Sequence, residues 1–123
     1  MAPQPEMVER CAALAAQLEA ASEALETALI RRDPLYLEHF ERRQRLIAEL
    51  HAAASASPGL TLPQAVRDQL MHARSVGSRS QEEARRMHEE SRAELLRLQD
   101  LHRLAGSLRS QAPARRNLLN LRG

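Results

Sequence analysis

The side chains best equipped for chemistry in this sequence are five histidines (39, 51, 72, 88 and 102), the single cysteine Cys11, and two adjacent acid pairs, Glu82-Glu83 and Glu89-Glu90. Metal chemistry is the first possibility, because His and Glu on one helix face can bind zinc and activate water. The stretch His88-Glu89-Glu90-Ser91-Arg92 has Arg where a zinc-protease helix needs its second histidine. Solvated helix histidines are the better reading. The acid pairs suggest general acid-base work, yet acids and arginines alternate at helical spacing: Glu38 with Arg42, Glu41 with Arg45, Glu82 with Arg86 and Glu94 with Arg97. They read as surface ion pairs. Cys11 sits on an apolar seam near only Glu6, Glu9 and Arg10, which marks a core thiol rather than a nucleophile. Gly77 and Gly106 are isolated and build no phosphate loop. The sequence therefore predicts no catalytic, cofactor or metal residues, and a protein that is not an enzyme.

A DNA-binding helix-turn-helix is suggested by the small residues and glycine of Ala73-Arg-Ser-Val-Gly77. The second helix of that motif must bury apolar residues six and nine positions after the glycine, and Glu83 and Arg86 stand there. Direct nucleic-acid recognition is not expected.

What remains is a set of helices. The chain has 123 residues, 43% of them hydrophobic but only 2% aromatic, so Leu and Ala carry the apolar content. This suits closely packed helices in one domain. From about Glu6 to Arg32 the residues Met7, Cys11, Leu14, Leu18, Ala21, Leu25 and Ala28 recur at spacings of three and four, which predicts one long amphipathic helix. Asp33-Pro34 stops it, with Asp as a cap and Pro in the first turn of the next helix. The second helix, about 34–54, has a seam of Tyr36, Phe40, Ile47, Leu50 and Ala54, beside a second row of Leu35, Leu46 and Ala53. Two rows predict two neighbours, and make this the widest apolar face.

After the loop Ser55-Ala-Ser-Pro-Gly, a third helix of about 62–108 carries Val66, Leu70, Ala73, Gly77, Ser80, Ala84, Met87, Ser91, Glu94, Leu98, Leu101, Ala105 and Leu108 in four-three spacing. At 1.5 Å per residue it would reach about 70 Å, against about 40 and 30 Å for the first two. Part of it must overhang, fold back or meet a partner. Residues 112–123 read as a separate basic tail or short helix containing Leu118, Leu119 and Leu121. The expected class is all-α: an antiparallel bundle of three long helices over residues 1–111, plus that tail.

All 18 basic residues are Arg. Residues 1–30 hold five glutamates against Arg10, a net of 1 − 5 = −4, while residues 101–123 hold five arginines and no acid. The two ends should attract each other or opposite partners. The N-terminus has no basic-then-apolar signal pattern, no window approaches a membrane span, and a lone cysteine fits a reducing compartment. Cytoplasmic location without membrane insertion is expected.

The run Leu29-Ile-Arg-Arg-Asp33-Pro-Leu-Tyr-Leu-Glu-His-Phe40-Glu-Arg-Arg-Gln-Arg-Leu46-Ile47-Ala-Glu-Leu50, the Pro-Gly loop at 58–59, and the long polar helix with Gln81, Arg85 and Leu95-Leu96 resemble the FliT-type flagellar export chaperones. Chaperones for the hook-filament junction proteins share much of the pattern. The resemblance implies a chaperone that binds the helical C-terminal part of the filament-cap protein, hands it to the type III export apparatus and, in some members, represses the master flagellar transcription activator. It implies a client groove of Tyr36, Phe40 and Ile47 with Met87, Leu95 and Leu98, occluded by Leu118, Leu119 and Leu121. Several relatives contact the export gate through a late Tyr, and here no aromatic residue follows Phe40. A structural coiled-coil dimer, or a weak homo-oligomer, is the competing expectation.

Overall fold

Runs of Leu, Ala, Glu and Arg lose little entropy in a helix, and every element they build here is one. The computed structural model describes the backbone of residues 4–122 and the side chains of residues 5–109. Among these there are three helices and no strand: α1 (Gln4–Ile30), α2 (Tyr36–Ala56) and α3 (Gln64–Arg122). The chain forms two compact units, Met1–Met87 and His88–Gly123.

The stop after α1 is made by backbone geometry. Arg32 takes a left-handed φ of 55°; its N–H donates to the Leu29 carbonyl at 3.1 Å, and the Asp33 N–H donates to the Ala28 carbonyl at 2.8 Å. These two bonds define a Schellman motif, usually closed by glycine. An arginine there costs on the order of 1 kcal/mol, and its side chain reaches Glu83 on α3 at 3.2 Å. Asp33 then accepts the Leu35 N–H at 2.9 Å, so α2 begins at Tyr36, two residues later than Pro34. The second connection turns at Ser57-Pro58-Gly59-Leu60, where the Leu60 N–H donates to the Ser57 carbonyl at 3.1 Å and Gly59 takes a φ of 78°. Pro followed by a left-handed Gly is the type II turn signature.

Within Met1–Met87 the helix directions follow from cross-helix bonds. Arg43 of α2 reaches Ser22 of α1, and these residues lie at similar distances from the connecting turn, so the two helices run antiparallel. Glu23 meets His72, Glu26 meets Arg79, and Arg32 meets Glu83. Both partners rise together in number, so α1 and the first part of α3 run parallel. Glu26 near the end of α1 thus finds a cation, Arg79, on α3; of the arginines over 101–123, Arg103 lies beside Asp100 on its own helix, and Arg115, Arg116 and Arg122 lie outside the described side chains.

The core centres on α1. Its expected seam, Met7, Cys11, Leu14, Leu18, Ala21, Leu25 and Ala28, is buried in full, and so is a second row of Ala15, Ser22 and Leu29. Helix α1 therefore has the widest buried face, and the expectation that α2 holds it is corrected. On α2 the seam is also shifted: Leu46 and Ala53 are buried, Tyr36, Arg43 and Leu50 are half-buried, while Phe40, Ile47 and Ala54 are exposed. The inward row is 36, 39, 43, 46, 50, 53. His39 and Arg43 interrupt it chemically, which is why the apolar count favours the neighbouring row. Helix α3 buries Val66, Ala73, Val76 and Ser80, half-buries Leu70, Gly77, Ala84 and Met87, and from His88 to Arg109 leaves every side chain exposed except the half-buried Ala105.

Helix α3 passes through Gly77 and Gly106 and extends beyond the expected end near Leu108. An interior glycine costs only about 1 kcal/mol relative to Ala, too little to end a helix flanked by Leu, Ala and Arg. Leu118, Leu119 and Leu121 lie outside the described side chains.

Two outcomes test this packing. Leu46→Ala should cost about 2–4 kcal/mol in urea unfolding, whereas Ile47→Ala should cost under about 1 kcal/mol; the reverse order would restore the other seam. The hydrogen bonds from Arg79 to Glu26, at 2.7 and 3.2 Å, hold that carboxyl below its ordinary range. A depressed carboxyl pKa stabilises the fold above the unfolded value and loses that contribution as pH falls through the folded one. Glu26→Gln should therefore lower the urea midpoint at neutral pH, and its difference from the parent chain should vanish as pH falls through the folded-state value.

Candidate functional site

Where α1 ends, α2 begins and the first third of α3 passes, the three helices leave an open groove of about 450 Å³. Its walls are Leu25 and Leu29 from α1, Tyr36, Leu37, Phe40 and Arg43 from α2, and Gly77, Ser80, Gln81 and Ala84 from α3. Most of these side chains are apolar, and no acid lines it. Phe40, the single phenylalanine of the chain, is 45% exposed, high for a side chain that buries about 150–250 Å² when enclosed.

Two polar features stand inside this apolar setting. Arg43 occupies an inward position of α2, half-buried, and its Nε–H donates to the buried Ser22 hydroxyl at 2.9 Å. Burial pulls the Arg43 guanidinium below its ordinary pKa, yet arginine stays charged at neutral pH. No carboxylate pairs with it among the described residues. Gly77 explains how it fits: a methyl group added at Gly77 would collide with the Arg43 guanidinium. The glycine that weakens the helix pattern of α3 in sequence is thus the space for an arginine from α2. The second feature is Ser80, only 3% exposed, whose hydroxyl finds no hydrogen-bond partner among the described residues. A buried hydroxyl without a partner is costly.

Of the six residues the sequence assigns to a client groove, the structure places Tyr36 and Phe40 in it together. Ile47, 37% exposed, lies two turns further along α2 and does not line it, and half-buried Met87 does not line it either. Leu95 and Leu98 belong to the unit His88–Gly123, where they are more than half exposed along with Leu96, Leu101, Leu104 and Leu108. Sequence reasoning misses Arg43, Gly77 and Ser80. The available signal was an arginine on a heptad core position of α2 opposite a glycine-serine pair at the same spacing on α3.

Among the described residues no three His, Cys, Asp or Glu side chains gather to hold a metal, and no helix is long and apolar enough to cross a membrane. Cys11 is buried in the core. Comparison with known proteins finds no matching family model, no matching curated protein and no matching solved structure.

The orphaned hydroxyl gives a direct check. Ser80→Ala removes an unpaired polar atom with little change in volume, so it should leave urea stability unchanged or raise it by about 1 kcal/mol. A loss of more than that would show that the hydroxyl is bonded in the free protein.

Proposed function

We propose that this chain is a helix-binding chaperone of the flagellar export type, acting in the cytoplasm on the filament-cap protein and passing it to the type III export apparatus. The observation that carries the reading is the groove within Met1–Met87, with a half-exposed Phe40 on a mostly apolar wall. An amphipathic helix laying its apolar face into such a groove removes that surface from water, and the i, i+3, i+4 pattern of anchors supplies selectivity. The resemblance of residues 29–50 and of the helix order to the FliT-type chaperones names the client class. In that reading the helices form an antiparallel bundle, and a regulator such as the master flagellar activator competes for the same surface.

The second reading is a structural coiled-coil dimer. Leu98, Leu101 and Leu108 keep heptad spacing and are each more than half exposed, as a self-pairing helix requires before it pairs.

Calorimetry with purified filament-cap, hook-filament junction and regulator proteins separates these readings. The filament-cap protein should bind, and Phe40→Asp should weaken binding at least tenfold, about 1.4 kcal/mol, with unchanged helical circular dichroism. Loss of helicity would make Phe40 core. Binding of the junction proteins alone would reassign the client. A stable dimer in light scattering, with no client bound, would favour the coiled-coil reading.

A further inference from the structure

We infer that the groove recognises a carboxylate as well as an apolar side chain, so that its partner is a helix carrying an Asp or Glu about one turn from its apolar anchor. This rests on the helix-binding reading and adds the charge that the bound helix must present.

Among the described residues Arg43 is the only charged one in the groove wall. Its one hydrogen bond, through Nε to Ser22, leaves the terminal fork of the guanidinium without a partner among the described residues. That fork lies against Gly77, on the groove side of α3. A partly desolvated cation without a counter-ion is a standing cost, and a carboxylate binding the fork through two parallel hydrogen bonds relieves it with geometric selectivity. Ser80, in the same wall, keeps its hydroxyl buried and unpartnered beneath that surface. Leu37, Phe40 and Ala84 provide the apolar contact beside it. A basic or uniformly apolar helix would bury Arg43 without relief, so the charge arrangement selects against it.

The first test needs no client. N-acetyl-phenylalanine, with a free carboxylate beside an aromatic side chain, and N-acetyl-phenylalanine amide are titrated into the full chain while the backbone N–H resonance of Ala84, on the groove wall in the parent and in every variant, is followed by NMR. The carboxylate should shift that resonance saturably and the amide should not. Arg43→Gln should abolish the difference between the two, and Gly77→Ala, which displaces the guanidinium but keeps the Arg, should reduce it. Equal behaviour of acid and amide, or a response that survives Arg43→Gln in a chain of unchanged helicity, would overturn the inference.

The second test uses the filament-cap protein. Replacing each Asp and Glu of its bound segment by Asn or Gln should identify one position where affinity falls about tenfold for the parent chain and hardly at all for Arg43→Gln, a coupling expected of a close charge pair. Tight binding with no coupled acid would leave the chaperone reading intact and remove the carboxylate. Absence of client binding with a positive amino-acid titration would do the opposite.

Discussion

Helix α1 has to be covered on two rows at once, and the materials for covering it are small. Its buried face includes Ala15, Ala21, Ser22 and Ala28 between the larger Leu14, Leu18, Leu25 and Leu29. Small residues let neighbouring helices approach closely but remove little apolar area, at roughly 25 cal/mol per Å². The neighbours answer in kind: α2 contributes Leu46 and Ala53, and α3 contributes Val66, Ala73 and Val76. With so little area per residue, the core must be long, and it runs from Met7 and Val66 at one end to Leu29 and Ser80 at the other.

That constraint explains why the groove forms where it does. Near the connection after α1 the inward row of α2 carries Arg43 instead of a leucine, so one of the positions that would seal α1 against α3 is filled by a cation. Two small residues accommodate it: Ser22 accepts its Nε–H, and the space at Gly77 receives its tip. Phe40, one residue outside the inward row, cannot turn in to fill the gap and remains half-exposed. A chain selected only for stability would place an aliphatic residue at 43 and a larger one at 77, since a buried ionic group is rarely the most stabilising choice. The polar pair in the wall is thus easier to explain by what it binds than by what it holds together.

The α1 seam was legible from residue spacing because every member is apolar, and the Asp-Pro and Pro-Gly turns were legible because each residue has one strong backbone preference. The row facing inward on α2 was not. Counting apolar residues there favours 36, 40, 47, 50 and 54, and the count misleads because an arginine stem packs like an aliphatic chain while scoring as a charge. The same substitution hid the site: Gly77 looks like a helix defect until Arg43 is set against it. Of the expected groove residues, those adjacent to the α1–α2 turn were recoverable, since a tight turn fixes both helices locally. Ile47 was not, because a shift of one position on a helix turns a side chain by about 100°.

The two apolar surfaces left exposed differ in what they can discriminate. Leu95, Leu98, Leu101, Leu104 and Leu108 form a face without an orphaned polar group; the arginines and acids near it, Glu94 with Arg97 and Asp100 with Arg103, already pair with one another along the helix. Such a face accepts any complementary apolar helix, and its selectivity rests on register alone. The groove on Met1–Met87 combines apolar walls with one unbalanced positive charge and one unsatisfied hydroxyl, so a partner lacking the matching acceptor loses affinity in proportion to what it leaves unpaired. On the proposed reading, discrimination between similar amphipathic helices therefore rests on Arg43, the charged group that the groove wall leaves unpaired.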